Sequence, residues 1–93
     1  MKLETIQTLH PNPEKINKKI ALEKYLLIRE VILEILNTQE PTHMELMEEI
    51  YEKTKGNFEG NAQWYGETVK LDLEARQIIS RTKTKPVRYV MLR

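Results

Sequence analysis

The longest regular apolar pattern in the chain runs from about Ala21 to Asn37 and reads ALEKYLLIREVILEILN. At 100° per residue, its apolar side chains spread over most of a helix, and only glutamates mark a polar arc. A surface helix buries a much narrower stripe. The segment therefore predicts a helix that is central to the domain or partly buried against a second copy of the chain. The main buried stripe is expected to contain Tyr25, Ile28, Ile32, Ile35 and Leu36.

A chain of 93 residues forms one domain, and a domain of this size buries a modest share of its surface. The absence of cysteine excludes disulfides and thiolate metal sites. No apolar run approaches the length of a membrane span, and the first residues lack the apolar region of a signal peptide. We therefore expect a cytoplasmic protein with no membrane partner.

A second helix is predicted within TQEPTHMELMEEIYEKTKG. Thr42 and Glu45 form a capping box, in which each side chain bonds to the backbone N–H of the other residue. Gly56 is well placed to end the helix. The side chains expected to face inward are Leu46, Met47, Ile50 and Tyr51.

A third helix is predicted from an N-cap at Asn61 to about Arg76, after a turn in which Phe58 plugs the core. Its apolar residues form two stripes, so it is expected to lie between two other elements. The Trp64–Tyr65 pair could stack on a base, but its helical spacing favours core packing. The first stripe contains Trp64, Thr68, Leu71, Ala75 and Ile78, the second contains Tyr65, Val69 and Leu73, and the exposed face contains Gln63, Glu67, Lys70 and Glu74.

The tail contains two β-prone runs, IISRT and VRYVML, around a turn from Lys83 to Pro86. Val87, Tyr89 and Met91 alternate onto one face. Three helices followed by a hairpin predict a mainly α fold with a C-terminal β-hairpin, the winged helix-turn-helix, whose wing is the hairpin. The predicted domain spans residues 21–93, and residues 1–20 form an N-terminal arm whose end is pinned to the core by Ile16 and Ile20.

LEARQII followed by SR resembles the junction between the third helix and the first wing strand of many bacterial winged-helix regulators. More narrowly, HPNP, WY and LDLEAR, in that order, resemble a small uncharacterised family of bacterial winged-helix-like proteins, over most of the chain. This resemblance implies a fold and a bacterial cytoplasmic setting, and no reaction. The junction in winged-helix regulators has glycine at the position where this chain has Gln77. Either Gln77 adopts the left-handed conformation at a cost of about 1 kcal/mol, or the helix runs on and the wing starts later.

The charges are separated along the chain although the net charge is only +1. Seven acids and no base lie between Arg29 and Lys53, and five bases and no acid lie from Ser80 onward. Such asymmetry is a hint about partners, although two solvated faces would also explain it. The basic run contains Arg81, Lys83, Lys85, Arg88 and Arg93, and Lys15, Lys18 and Lys19 in the arm can add to the same surface.

Double-stranded DNA is the first predicted partner. Arg81, Lys83, Lys85 and Arg88 are the candidates for phosphate contacts, which supply much of the affinity for DNA. A contrary observation is that the exposed face of the third helix carries acids and that the second helix is strongly acidic. A dimer with two basic wings is therefore more credible than a single copy. The candidates for contacts with base edges in the groove are Gln63 and Lys70.

The alternative is a protein-interaction module of the same fold that does not bind DNA. The first helix could form a homodimer, and the acidic middle of one chain could pair with the basic tail of another. An enzyme is not expected, because the only histidines are His10 and His43, with His43 expected to be solvent-exposed. The sequence contains no nucleophile–base order, no metal-ligand cluster and no glycine-rich phosphate loop, so neither a cofactor nor a metal is predicted.

Overall fold

The structure is a computed structural model that describes residues 4–92, so Arg93 of the basic run lies outside the described part. Three helices and a C-terminal β-hairpin form a mainly α, winged-helix-like fold, as the sequence predicts, and an N-terminal antiparallel hairpin that was not predicted packs beside them. Over this range, no helix is both long enough and apolar enough to cross a membrane. In chain order the elements are β1 (Thr5–Gln7), β2 (Lys19–Ala21), α1 (Leu22–Thr38), α2 (His43–Thr54), α3 (Ala62–Ala75), β3 (Ile79–Arg81) and β4 (Tyr89–Met91).

α1 is the central element and packs against α2, α3 and both hairpins. Its apolar residues therefore meet neighbours on several sides, which is why the helix is apolar over such a wide arc. Leu26 and Leu27 stay exposed, at 51% and 43% of their surface. The predicted buried stripe is confirmed at every position: Tyr25, Ile28, Ile32, Ile35 and Leu36.

α2 begins at the predicted capping box. The backbone N–H of Thr42 donates to Glu45 Oε1 at 2.9 Å, and the N–H of Glu45 donates to Thr42 Oγ1 at 3.3 Å. The helix ends at Thr54, and Gly56 adopts a φ of 83° just beyond it. The inward assignment of Tyr51 is wrong, because its side chain is 51% exposed. It lies 100° around the helix from Ile50, beyond the arc covered by α1 and α3.

α3 begins at Asn61, whose side chain accepts a hydrogen bond from the backbone N–H of Trp64 at 3.0 Å. The predicted N-cap is therefore correct. A Cβ at Gly66 would lie 2.9 Å from Ile50 Cδ1, so glycine allows the close approach of α3 to α2. The prediction that Trp64 packs in the core is wrong, because 43% of its surface is exposed. It lies on the side of α3 that faces away from α1 and α2.

The N-terminal arm is a hairpin docked on the helices rather than a loose extension. β1 and β2 pair antiparallel with Ile6 opposite Ile20, and Ile20 is buried in the core as predicted. The expectation for Ile16 is wrong, because its side chain is 88% exposed. The neighbouring residue makes the contact instead, since Asn17 Nδ2 donates to the carbonyl oxygens of Leu9 at 2.8 Å and Thr68 at 3.0 Å.

The wing is the β3–β4 hairpin, with Arg81 opposite Tyr89. Tyr89 is buried, and its backbone N–H donates to the carbonyl oxygen of Pro41 at 2.9 Å, which ties the wing to the start of α2. Val87 is 43% exposed, so its predicted alternation onto the buried face fails. β4 begins only at Tyr89, and Val87 belongs to the turn.

Gln77 ends α3 with a φ of 61°, which confirms the first of the two alternatives for this position. Because a side chain is disfavoured in this conformation, Gln77→Gly is expected to raise the free energy of unfolding by about 0.5–1 kcal/mol. Urea denaturation of Gln77→Gly and Gln77→Ala measures the effect. The alanine variant keeps a Cβ and should match the wild type, so equal stability of all three proteins would contradict the strain.

Candidate nucleic-acid interface

Lys70 is not available for a groove contact, because only 4% of its surface is exposed. Its Nζ donates to the Tyr89 hydroxyl at 2.9 Å and lies 3.3 Å from His43 Nδ1 and 4.3 Å from the centre of the Tyr89 ring. The helical pattern grouped Lys70 with exposed residues such as Glu67. The prediction is wrong because β4 and the start of α2 cover this side of α3.

His43 is half-buried rather than solvent-exposed, which corrects the second expectation for this region. Because an ammonium group can only donate, His43 Nδ1 accepts from Lys70 and carries no proton. Burial, and then the positive charge of Lys70, lower the pKa of His43 below its usual value. The cluster of Lys70, His43 and Tyr89 therefore joins α3, α2 and β4 and has no free face for DNA.

The two wing arginines are held in ion pairs within the chain. Arg81 Nε lies 2.5 Å from Glu74 Oε1, which links the wing to α3. Arg88 Nη1 donates to the carbonyl oxygen of Glu40 at 2.9 Å and lies 3.4 Å from Glu45 Oε1, which links the wing to α2. Both guanidinium groups thus orient the wing, and their charge is partly offset before any partner binds.

Lys83 and Lys85 lie in the turn of the wing and are exposed. Within residues 4–92, neither ammonium group forms a hydrogen bond or an ion pair. They are therefore the two wing candidates whose positive charge is fully available to a partner.

The side of α3 that faces away from α1 and α2 forms a strip, defined here as Gln63, Trp64, Glu67 and Leu71. The predicted exposure of Glu74 is wrong, because Arg81 of the wing covers its side chain, which is only 6% exposed. Gln63 is exposed as predicted, with one long contact of 3.5 Å from its Nε2 to the carbonyl oxygen of Met47. The charge of Glu74 is offset by the wing, which leaves Glu67 as the carboxylate at the centre of the strip. The α3 strip can therefore offer an amide and a carboxylate to a groove, but no cation.

Two loops border the α3 strip on opposite sides. The wing borders α3 at Lys70 and Glu74, and the arm loop, residues 8–18, borders it at Thr68 and Asp72 through the bonds of Asn17 and Leu9. The arm loop also carries two exposed lysines, for which the described part of the chain provides no ion-pair partner. Unpaired lysines thus lie on both sides of the strip: Lys15 and Lys18 in the arm loop, and Lys83 and Lys85 in the wing.

A family model described as a family of unknown function, DUF6958, matches residues 5–89. The chain belongs to DUF6958. No curated protein and no solved structure gives a significant match. The DUF6958 match covers both lysine-bearing loops and the α3 strip, and its description assigns no reaction or ligand. No group of three or more metal-binding side chains is found in residues 4–92.

One feature of this DUF6958 chain that the sequence did not reveal is the buried carboxylate of Asp72, which is 0% exposed. It accepts hydrogen bonds from the Tyr25 hydroxyl at 2.5 Å, the Leu9 backbone N–H at 2.8 Å and Arg76 Nε at 2.9 Å. Burial and the bond to Asp72 raise the pKa of Tyr25 to about 12. The only sequence signal was the i, i+4 spacing of Asp72 and Arg76, which is common on exposed helices. This carboxylate holds the arm loop beside the α3 strip.

Proposed function

We propose that the protein binds double-stranded DNA in the bacterial cytoplasm, as winged-helix transcriptional regulators do. The observation that supports this proposal is the position of the α3 strip between two loops with unpaired lysines. A helix that enters a groove has phosphates on both sides, and lysines on both sides of that helix can contact them.

The proposed binding depends on phosphates more than on bases. Phosphate contacts supply affinity without sequence information, whereas the α3 strip offers few groups to the groove. Gln63 can bond to an adenine edge, and Glu67 can accept from the amino group of cytosine. We therefore expect steep salt dependence and modest discrimination between sequences.

A homodimer through α1 is part of the proposal, because two copies double the number of lysine-bearing loops. The exposed Leu26 lies in a shallow groove that Leu33 and Met91 also line. Burying a leucine contributes about 1.5–3 kcal/mol. Leu26→Glu is therefore expected to weaken dimerisation by roughly tenfold or more, as measured by light scattering over a concentration series. An unchanged dimer, or a monomeric wild type, would argue against this interface.

A salt titration with a mixed pool of duplex DNA tests the proposed function. Lys83→Ala/Lys85→Ala is expected to weaken binding similarly for all sequences and to reduce the slope of log affinity against log salt by about two units, one per lost phosphate contact. Lys53→Ala/Lys55→Ala is the matched control. It removes the same charge at the far end of α2 from the wing, from lysines that are paired with Glu34 and Glu52.

Equal losses in both double variants would show a general effect of charge and would contradict the wing assignment. No binding of the folded wild type at low salt would contradict DNA binding altogether. It would favour the second candidate function, a protein-interaction module, which is supported by the exposed leucines of α1. Capture of partners with the wild type and with Leu26→Glu would then test that candidate.

A further inference from the structure

A cleft of about 450 Å³ lies between the arm loop and α3. His10, Lys15 and Lys18 line it from the arm loop, and Trp64 and Leu71 line it from α3. This volume is within the range of clefts that hold small ligands or single residues of a polymer. The cleft borders the α3 strip on the side away from the wing.

Trp64 is the tryptophan of this cleft, and the chain contains no other. The N-cap holds the backbone of Trp64, and the Tyr65 ring packs against the indole edge-to-face at 4.9 Å between ring centres. Even so, 43% of its surface is exposed, and its ring nitrogen bonds to no acceptor within residues 4–92. The fold thus holds an aromatic ring at the surface with its N–H group unpaired.

The arm loop forms the other wall of the cleft and is also held in place. The groups that hold it are an uncharged side chain and a backbone N–H, so its lysines are not needed for this role. Asn17 ties the loop to Thr68, and Asp72 accepts from the Leu9 N–H. Neither Lys15 nor Lys18 uses its ammonium group in these contacts. Ile16, between them, is 88% exposed and contributes almost no burial to the fold. These three side chains are therefore free to contact a ligand without any cost to the loop.

The cleft combines an exposed aromatic ring with the apolar side chains of Ile16 and Leu71 and two unpaired cations. Glu67 is the single carboxylate among the residues that line it, so the wall remains positively charged. Aromatic side chains stack on unpaired bases, and lysines beside them contact the adjoining phosphates. Paired bases cannot enter, because their faces are occupied by their neighbours in the duplex.

We propose that this cleft binds an unpaired nucleotide of single-stranded nucleic acid, with the base stacked on Trp64 and the phosphates contacted by Lys15 and Lys18. The site shares Trp64, Glu67 and Leu71 with the α3 strip and Lys15 and Lys18 with the arm-loop side of the proposed duplex surface, but it uses none of the wing. It gives the protein a preference for DNA in which a single-stranded segment adjoins a duplex, because Lys83 and Lys85 of the wing stay available to the duplex while the cleft holds the unpaired nucleotide.

The fluorescence of the single tryptophan reports on this site directly. Titration with an oligothymidylate of about eight nucleotides is expected to quench the fluorescence in a saturable way, because stacking on the indole provides a quenching path. An oligouridylate of the same length shows whether the site distinguishes DNA from RNA. Because Trp64→Ala removes the tryptophan, its affinity is measured from the fluorescence anisotropy of labelled oligothymidylate. This variant should bind about tenfold more weakly than the wild type, which is a typical loss for one stacked base.

Two variants with the same charge change separate this cleft from the wing. Lys15→Ala/Lys18→Ala should weaken the quenching by oligothymidylate, whereas Lys83→Ala/Lys85→Ala should leave it close to the wild-type value. Ile16→Ser tests the wall of the cleft that faces Trp64, and this variant should also weaken the quenching by oligothymidylate. Because Ile16 is so exposed, this variant should unfold at the wild-type temperature, which separates a loss of binding from a loss of fold.

The outcomes for the two surfaces are distinguishable. Quenching by single strands without binding of duplex would support the cleft and contradict the proposed duplex function. Binding of duplex without quenching by either oligonucleotide would overturn the cleft and leave the duplex function standing. Quenching that Lys15→Ala/Lys18→Ala and Ile16→Ser do not weaken would also overturn the cleft assignment.

Discussion

Asp72→Ala is expected to lower the free energy of unfolding by about 3–5 kcal/mol, the usual cost of removing one partner from a buried charged network. The substitution leaves the Tyr25 hydroxyl and the Leu9 N–H without their acceptor and removes the charge opposite Arg76. The first two groups lie on α1 and in the arm, so the loss affects two contacts between elements at once. For a domain of this size, such a change lowers the unfolding temperature by roughly 12 °C or more.

Chemical denaturation compares Asp72→Ala with Glu48→Gln, which removes an exposed carboxylate on α2 and should change stability by less than about 0.5 kcal/mol. Tyr25→Phe removes one of the three donors and should cost less than Asp72→Ala. Amide hydrogen exchange adds a local measurement, because the Leu9 N–H should lose protection in Asp72→Ala. A stable Asp72→Ala protein with a protected Leu9 would show that Asp72 does not hold the arm.

Tyr25 adds a dependence on pH to the same network. Its pKa is raised to about 12 from an ordinary value of 10, so the folded state favours the neutral phenol. The stability that it contributes is therefore present below pH 10 and lost as the pH rises through about 12. The wild type should lose stability over this window, and the difference from Tyr25→Phe isolates the contribution.

Lys70→Ala is the second large effect that we expect, with a loss of about 2–4 kcal/mol in the free energy of unfolding. The substitution opens a cavity and leaves the buried Tyr89 hydroxyl without a donor. Lys70→Met fills most of the space without a buried charge, so it should cost clearly less than alanine. Urea denaturation measures both variants. Equal losses would show that the charge of Lys70 matters more than its packing.

The same pair of variants tests the electrostatic link to His43. Removal of the Lys70 charge should raise the pKa of His43, although burial, the larger cause, continues to lower it. With a lowered pKa, the neutral imidazole is favoured in the folded state, so its contribution to stability is lost as the pH falls below about 6.5. NMR titration of the His43 ring protons measures the shift, and a pKa that is unchanged in Lys70→Met would contradict the contact.

Lys70→Met also has an expected result for DNA. Because the side chain is buried, duplex affinity and its salt slope should match those of the wild type as long as the variant is folded. A loss of affinity as large as that of Lys83→Ala/Lys85→Ala would mean that Lys70 reaches DNA after all, as its position in the helical pattern first suggested.

The sequence alone predicted the local features of the fold. The capping box at Thr42 and Glu45, the N-cap at Asn61 and the buried stripe of α1 all depend on residues within two or three turns of one another, and each is confirmed. The turn of the wing is local in the same sense, and so is the left-handed Gln77, which was one of two alternatives that the sequence left open. For such features, the interacting groups are already neighbours along the chain, and residue type and spacing are sufficient.

Assignments that depended on what covers a helix were less successful. Lys70, Tyr51 and Trp64 were each placed by helical period, which gives the direction of a side chain around its own helix and nothing about its neighbours. β4 covers the side of Lys70, whereas no helix or strand within residues 4–92 covers the exposed sides of Tyr51 and Trp64. Ile16 shows that residue type is equally insufficient in a loop, because the neighbouring Asn17, and not Ile16, contacts α3.

The sequence by itself determined the order of three helices and a hairpin, the ends of the helices and most of the core, because these depend on short-range patterns of polarity. Only the tertiary structure decided which charges are free. Arg81 and Arg88 of the wing pair with acids on α3 and α2, Lys70 is buried under β4, and the exposed lysines of the arm and wing lie on opposite sides of α3. The energy of a charge depends on its distance from all others in space. That distance is fixed only when the elements pack.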